Sequence, residues 1–321
     1  MRRGWGIGAA VGLLLAGSGA AHAQLTTFVI EFGNTGANTA RDGTFSSFDV
    51  LGSSTTLTQV WNPFTAGPDA PATGNTGNGM AADVINNRVF WRASTSGTAG
   101  DGSLYVWDRN NNTQRLVTGA NGATFLGNAS NAAFYNGAYW YVPQGLDTLV
   151  RLKLDFSNPN APTFTRRTFA NFDNDSAITS FNFGDIVISA SGVLYGSASE
   201  RFFRADLSSI TDTTGGVTGY QTLSSSSGRN LQMVLSQDEQ TLYGARNDSA
   251  TNSVTLYQVR QSDGAETALK TFSGVRFTDL TGVYPTGILA APEPGSIGLV
   301  FVGGIGLCAI AARRKPAKSV K

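Results

Sequence analysis

The chain has 321 residues and is close to neutral, with 23 lysines and arginines against 22 aspartates and glutamates and a formal net charge of +1. The basic residues are scattered rather than clustered, so we predict no binding to nucleic acid. The single histidine, His22, and the single cysteine, Cys308, both lie in terminal apolar segments. The region between them therefore lacks imidazole and thiol groups, which excludes internal disulfides, histidine or cysteine zinc sites and the usual histidine-dependent nucleophile triads.

The N-terminal residues have the three parts of a secretory signal peptide. Two arginines at positions 2 and 3 precede an apolar run over residues 9–16, and a small-residue site follows. We predict that residues 1–23 are removed as a signal peptide. The alternative, an uncleaved first membrane helix, is disfavoured because the apolar run is short and interrupted by glycine. The predicted cleavage positions are Ala21, Ala23 and Gln24.

Residues 24–290 form the predicted exported domain. Two basic residues precede it and five follow it, whereas only Glu293 of the acidic residues lies outside it, so the domain carries a net charge of −5. Its short apolar or alternating runs are separated by clusters of glycine, asparagine, serine, threonine and aspartate, and no helical stripe exceeds two turns. The domain is therefore predicted to be all-β and long enough to bury its own core.

An internal repeat organises these runs. Four strands and their turns fill about 50 residues, which is the length of one propeller blade. Polar pairs that favour hairpins precede the second strand of each repeat, for example Asn86-Asn87 and Asp238-Glu239. The aromatic or apolar anchors of the second strands are separated by 50, 55 and 48 residues and are Phe90, Trp140, Tyr195 and Tyr243.

Four repeats lie between about residues 78 and 273, and the ends of the domain supply a fifth. Pairing of the first strands with the last closes the ring and removes exposed strand edges. We predict a single β-propeller of five blades, with six blades or a pair of β-sandwiches as alternatives. The segment 236–243 is similar to the second-strand turn of secreted propellers of the lactonase and NHL-like kind, a resemblance that implies only a fold. The fifth blade is predicted to combine residues 277–284 as inner strand with residues 28–31, 44–50 and 57–61.

Three aspartates stand just before or within the inner strands of the repeats, namely Asp83, Asp185 and Asp279. Inner strands line the central channel of a propeller, so three carboxylates that converge on one mouth would suit a calcium ion or sugar hydroxyls. Their like charges would also raise at least one pKa. The favoured interpretation is structural, with each aspartate accepting backbone N–H bonds from a neighbouring blade; a ligand or calcium site is the second, and catalysis the third.

The aromatic residues of the second and third strands also allow two interpretations. If several of them face one rim of the channel, they form a stacking platform for carbohydrate. Because strand alternation directs most of them into the space between blades, core packing is the favoured interpretation. The residues concerned are Trp91, Trp107, Trp140, Tyr105, Tyr139 and Tyr141.

The last 31 residues have the layout of a sorting tail. The tripeptide Pro292-Glu293-Pro294 is followed by an uncharged run over residues 295–312 and then by Arg313-Arg314-Lys315. Eighteen uncharged residues suffice to cross a bilayer core of about 30 Å at 1.5 Å per residue, and the basic cluster is expected to stay on the cytoplasmic side. We therefore predict that residues 291–321 contain one transmembrane helix, which holds the domain outside.

This three-part layout resembles the PEP-CTERM sorting signal of Gram-negative bacteria that produce exopolysaccharide. In that family the Pro-Glu-Pro tripeptide is read by an exosortase, a membrane transpeptidase. The resemblance implies an exported protein of the cell envelope, cell surface or extracellular matrix with a transient membrane anchor. Its implied partners are an exosortase-type transpeptidase, the membrane before processing, and exopolysaccharide.

Two classes of function fit these features. The favoured class is a non-enzymatic surface or matrix protein without a cofactor, whose propeller binds or spaces other components near exopolysaccharide. The alternative is a carboxylate-dependent enzyme, with or without calcium, that acts on a polysaccharide or lactone. The missing histidine favours the first class, so the sequence predicts that the chain is not an enzyme.

Overall fold

The computed structural model describes residues 26–32, 44–63, 69, 75–95, 102–122, 129, 131–143, 146, 148–170, 184–198, 201–225, 230–236 and 238–283. These residues form strands and turns without a helix, which confirms the predicted all-β class. Accordingly, this part of the chain holds no helix long and apolar enough to span a membrane. Outside the described residues lie the signal peptide, with Ala21, Ala23 and Gln24, and the tail, with Pro292, Glu293, Pro294, Arg313, Arg314 and Lys315.

Twenty strands are present in the described residues. They are β1 (Thr26–Phe32), β2 (Phe45–Asp49), β3 (Thr58–Trp61), β4 (Asn75–Asp83), β5 (Arg88–Thr95), β6 (Ser103–Asp108), β7 (Thr113–Gly119), β8 (Ala133–Tyr135), β9 (Ala138–Tyr141), β10 (Thr148–Asp155), β11 (Thr163–Ala170), β12 (Gly184–Ile188), β13 (Val193–Ala198), β14 (Arg201–Asp206), β15 (Thr218–Ser225), β16 (Gln232–Leu235), β17 (Leu242–Asp248), β18 (Ser253–Val259), β19 (Glu266–Ser273) and β20 (Arg276–Val283).

The strands form antiparallel meanders of four. β12–β15 and β16–β19 are each a separate sheet, whereas β4–β7 and β8–β11 are joined into one sheet of eight by a short parallel pairing of β7 with β11. The turns between first and second strands contain residues with positive φ, such as Asn87 at 55°, Gly192 at 88° and Glu239 at 57°. Asparagine and glycine adopt this conformation readily, which is why polar pairs mark these hairpins in the sequence.

The remaining sheet joins the two ends of the described chain in the order β20-β1-β2-β3. β1 pairs antiparallel with β20, with Thr26 opposite Val283 and Ile30 opposite Asp279. The first strands of the other four meanders and β20 contact one another in the cycle β4, β8, β12, β16, β20 and back to β4. The described strands are therefore arranged like the blades of a propeller around the inner strands.

The core fills the spaces between neighbouring sheets. Successive residues of a strand point to opposite faces, so Phe90 stacks on Phe134 of one neighbour at 5.5 Å, while Trp91 meets Phe45 of the other at 5.6 Å, edge to face. Both faces of second strands such as β5 are therefore buried, and five apolar clusters lie between neighbouring meanders. This packing explains the near-continuous apolar character of the second strands, which hides the simple alternation of a half-exposed sheet.

One glycine tests how tightly this core is packed. A Cβ atom at Gly196 on β13 would lie 2.1 Å from Cζ of Phe203, whose side chain is fully buried. We expect Gly196→Ala to lower the free energy of unfolding by about 1–3 kcal/mol, because a buried ring in a close-packed core would have to shift to accept the methyl group. Gly216→Ala is the matched control, since a Cβ atom there meets nothing within 4 Å. Urea denaturation of both variants checks this, and equal midpoints would contradict the packing described.

Candidate functional site

Asp185 is the second residue of β12 and is fully buried at the centre of the inner strands. Its Oδ1 accepts hydrogen bonds from the backbone N–H groups of Ala132 at 3.2 Å and Ile186 at 2.7 Å. Its Oδ2 accepts one from the N–H of Met233 on β16 at 2.8 Å. This carboxyl group therefore connects β12 to the residues at the start of β8 and to β16.

Asp279 has the equivalent role on β20 and is also fully buried. Its Oδ2 accepts a hydrogen bond from the backbone N–H of Met80 on β4 at 2.5 Å, and its Oδ1 accepts one from Leu280 at 2.8 Å. The side chains of Asp279 and Asp185 lie close enough to influence each other's ionisation. The two carboxyl groups and their donors thus connect all five inner strands.

Burial and mutual proximity disfavour the state in which both carboxyl groups are ionised. Burial raises the pKa of Asp185 well above its usual range, and the charge of Asp279 raises it further, against the lowering effect of the three N–H donors. Burial likewise raises the pKa of Asp279, while its N–H donors lower it. When two buried carboxyl groups lie this close, each charge disfavours the other, so we expect the pair to hold one proton between them.

Asp83 occupies a different environment from the other two aspartates. It is the last residue of β4, about three residues and 10 Å beyond Met80 along the strand, and it is 3 % exposed. Its Oδ1 accepts from the backbone N–H of Asn86 at 3.1 Å and its Oδ2 from Nδ2 of Asn86 at 2.7 Å. Asp83 therefore caps the turn that leads to β5.

The structure thus brings together two of the three aspartates predicted from the sequence. Asp185 and Asp279 accept N–H groups from other strands of the ring, as in the structural interpretation, whereas Asp83 does not join them. No group of three or more metal-ligating side chains occurs among the described residues, so these residues do not support the calcium site suggested for Asp83, Asp185 and Asp279. The sequence could not separate them because all three stand near inner strands, and only their position along the strand differs.

A cavity of about 440 Å³ lies beside the aspartate pair, and its wall begins one residue after each aspartate, at Ile186 and Leu280. Its wall takes residues from each of the five inner strands, starting at Ala82, Ala132, Ile186, Met233 and Leu280. Much of this wall is apolar. Among the lining residues, carboxylate side chains are contributed by Asp83 and Glu239. An apolar cavity with a few convergent polar groups is the expected form of a small-molecule site.

Glu239 was not identified as a site residue from the sequence. There it was named only as the second residue of a polar pair that favours a hairpin. It sits in the turn between β16 and β17 with a φ of 57°, a conformation that costs a residue with a Cβ atom about 1–2 kcal/mol. Its Oε1 accepts a hydrogen bond from the backbone N–H of Ala190 at 2.6 Å, while no partner of Oε2 occurs among the described residues. The corresponding turns hold asparagine or glycine in this conformation, such as Asn87 and Gly192, so the glutamate side chain, and not the positive φ, is what distinguishes Glu239.

The aromatic residues do not form a carbohydrate platform. Each of the six side chains considered is at most 9 % exposed, which confirms core packing and makes the stacking-platform interpretation wrong. The ring of Trp140, for example, stacks on Phe169 at 5.9 Å between two strands of its own sheet. The six residues are Trp91, Trp107, Trp140, Tyr105, Tyr139 and Tyr141.

Comparisons with known proteins give only distant likenesses. No protein-family model matches the chain, and no curated protein matches it. Among solved structures, the calcium-binding protein regucalcin from Agrobacterium tumefaciens is similar, with 13% identity, 82% of this chain and 78% of that chain covered, and a TM-score of 0.42. A gluconolactonase from Xanthomonas campestris has 14% identity, 61% coverage of each chain and a TM-score of 0.35.

A third similar structure is a 6-phosphogluconolactonase candidate from Bacteroides fragilis, with 16% identity, 75% of this chain and 68% of that chain covered, and a TM-score of 0.35. Two of these three structural neighbours are thus named as lactonases. This finding corrects the prediction that the chain is not an enzyme. The missing histidine excludes imidazole chemistry only, because carboxylates can also transfer protons. With TM-scores below 0.5, these likenesses assign no substrate and no site residue to this chain.

The aspartate pair predicts an unusual pH dependence of stability. Between the pKa of an unfolded aspartate, about 3.9, and the raised folded pKa, the native protein holds a proton that the unfolded chain has released. The free energy of unfolding should therefore fall as pH rises through this window, by at most about 1.4 kcal/mol per pH unit for one proton. Asp279→Asn should flatten this decrease, because the amide does not titrate and removes the negative charge that raises the pKa of Asp185.

Denaturation midpoints between pH 4 and pH 9 measure this effect. Asp206→Asn is the control, since Asp206 lies at the surface and its pKa is lowered by hydrogen bonds from Ser208, so its contribution is lost at low pH instead. Identical slopes in the wild type and Asp279→Asn would show that the pair holds no shared proton.

Proposed function

We propose that residues 24–290 form a five-bladed propeller that binds a small saccharide or sugar lactone in the channel cavity and hydrolyses it with a carboxylate base. The cycle of contacts among the five inner strands and the pairing of β1 with β20 support the blade number and the closure of the ring. The lactone class is taken from the names of the distant structural neighbours and from the chemistry of the cavity. Hydrolysis of a polysaccharide end is the related second substrate class.

The observation that carries this proposal is the position of Glu239 on the cavity wall. One oxygen of its carboxylate is held by the backbone of Ala190, which fixes the orientation of the group. The other oxygen has no partner among the described residues and is free to accept a proton from water. A second carboxylate, Asp83, lines the same cavity but is occupied by Asn86.

Lactone hydrolysis requires one base and no further reactant than water. In the proposed reaction Glu239 removes a proton from a water molecule while the water oxygen bonds to the carbonyl carbon of the lactone. The bond between that carbon and the ring oxygen then breaks, and the carboxyl group of Glu239 returns the proton to the ring oxygen. The product is the open hydroxy acid, and Glu239 is again a carboxylate. The apolar wall of the cavity limits competing hydrogen bonds from bulk water.

Glu239→Gln tests this role with little change in size. We expect hydrolysis of glucono-δ-lactone, followed by proton release with an indicator dye, to fall by about 100-fold to 10,000-fold in the variant. Asp155→Asn is the matched control, because Asp155 also accepts a backbone N–H in a turn but lies on β10 away from the cavity. Parallel assays with calcium and with a chelator test whether a cation assists, as the name of the neighbour regucalcin suggests.

Two results would contradict the enzymatic proposal. A wild-type protein that does not accelerate lactone opening in either calcium condition would remove the lactone class. A Glu239→Gln variant as active as the wild type would remove Glu239 as the base.

We also propose that the protein is exported and processed at its C-terminal tail by an exosortase-type transpeptidase, and that it then lies near exopolysaccharide at the cell surface or in the matrix. The order of Pro-Glu-Pro, uncharged segment and basic cluster supports this pathway. The signal peptide pattern at the other end supports the same destination.

Replacement of Pro292, Glu293 and Pro294 by alanine separates export from processing. We expect the variant to cross the inner membrane normally but to keep its tail, because the basic cluster and uncharged segment are intact. Pro285→Ala is the control for loss of a nearby proline. Cell fractionation and immunoblotting give the size and location of each form, and normal release of the triple variant would refute the sorting role of the motif.

A further inference from the structure

Arg92 is a buried cation in the second strand of its meander. It lies on β5 opposite Leu104 of β6, and it is 2 % exposed. Its Nη2 donates a hydrogen bond to the carbonyl oxygen of Gly102 at 3.3 Å. Its Nε and Nη1 atoms, which carry three of the five N–H bonds of a guanidinium group, have no hydrogen-bond partner among the described residues.

A second arginine shows what Arg92 lacks. Arg246 lies over the ring of Tyr257 at 5.1 Å, and its Nη2 donates to both carboxylate oxygens of Glu266 at 2.7 and 2.8 Å. Arg92 lies over the ring of Tyr141 at 4.8 Å in the same manner, but it has no carboxylate partner among the described residues. It is also more deeply buried than Arg246. The guanidinium group of Arg92 is thus buried without a counter-charge, and this is the situation in which a charge costs the most free energy.

The surroundings of Arg92 hold its side chain in one place. A Cβ atom at Gly79, whose φ is 61°, would lie 2.7 Å from the hydroxyl oxygen of Tyr139 and 3.2 Å from Cδ of Arg92, so a glycine suits this close approach. The hydroxyl group of Tyr139 donates to the carbonyl oxygen of the same glycine at 2.6 Å. Burial lowers the pKa of Arg92, whereas Tyr139 and Tyr141 act to raise it and the positive charge of Arg166 again lowers it. Arg92 is therefore closely surrounded, and no acidic residue among the described residues balances its charge.

We propose that Arg92 anchors an oxyanion site that takes the carboxylate group of a ligand, such as an acidic sugar. The free N–H groups of a guanidinium match the two oxygens of a carboxylate, and a buried charge is tolerated when it is paired in this way. Because Arg92 is 2 % exposed, the site takes the charged end of a ligand rather than a whole saccharide. Arg92 is not among the residues that line the channel cavity, so this site is separate from the proposed hydrolytic function.

Arg92→Met tests the proposal by the sign of its effect on stability. Methionine keeps much of the length of the side chain without the charge. In chloride buffer without carboxylates, we expect the full-length variant to melt at the same temperature as the wild type or higher, because it removes an uncompensated buried charge. Arg246→Met is the matched control and should melt at a lower temperature, because it leaves Glu266 without its partner.

The ligand is tested by titration at constant ionic strength with acetate, galacturonate, sulfate and uncharged galactose. Acetate and galacturonate should raise the melting temperature of the wild type saturably, on the order of 5 °C at a hundredfold excess over Kd. Arg246→Met should keep this response and Arg92→Met should lose it. The site is refuted if no anion shifts the wild type, or if Arg92→Met responds like the wild type. A response to sulfate alone would overturn the assignment to carboxylates.

Discussion

The fold depends on how the inner strands satisfy their backbone N–H groups at the centre of the ring. An inner strand pairs with its own sheet on one edge only, and a buried N–H group without an acceptor costs about as much as a lost hydrogen bond. Asp185 and Asp279 supply acceptors for donors on β4 and β16 and at the start of β8. Two side chains in contact thereby fix the relative positions of five strands from different sheets, and the blades pack outward from that arrangement.

The same arrangement explains why a pair of like charges is retained in the core. An isolated buried carboxylate would favour its neutral form, but each of these groups accepts backbone N–H bonds that favour the charge. The proton that we expect the pair to share would reconcile the two demands, because it would remove the repulsion and leave the remaining oxygens as acceptors. The pair is therefore a structural unit, and its raised pKa arises from its position in the ring and does not by itself indicate catalysis.

The sequence predicts local structure well here and side-chain environment poorly. Strand alternation and turn chemistry identify second strands such as that of Tyr243 and hairpins such as Asn86-Asn87, because both depend on neighbouring residues. Asp83 and Asp185 differ by a few residues in their position along an inner strand. This difference places the Asp83 side chain at a turn and the Asp185 side chain at the centre of the ring. The burial of Arg92 depends on residues far along the chain, and a periodicity argument contains no such information.

The carboxyl groups along the channel differ in how many of their oxygens are held by backbone N–H groups. Asp185 and Asp279 are held by backbone N–H groups on both of their oxygens, so a substrate would have to break the contacts that organise the ring. At the cavity, Glu239 uses one oxygen for orientation, and its backbone is held in a conformation that disfavours side chains. A glycine at this turn would relieve that cost and lose the carboxylate. The proposed hydrolysis therefore rests on Glu239, whose second carboxylate oxygen needs no contact of the ring to be broken, and not on the aspartate pair.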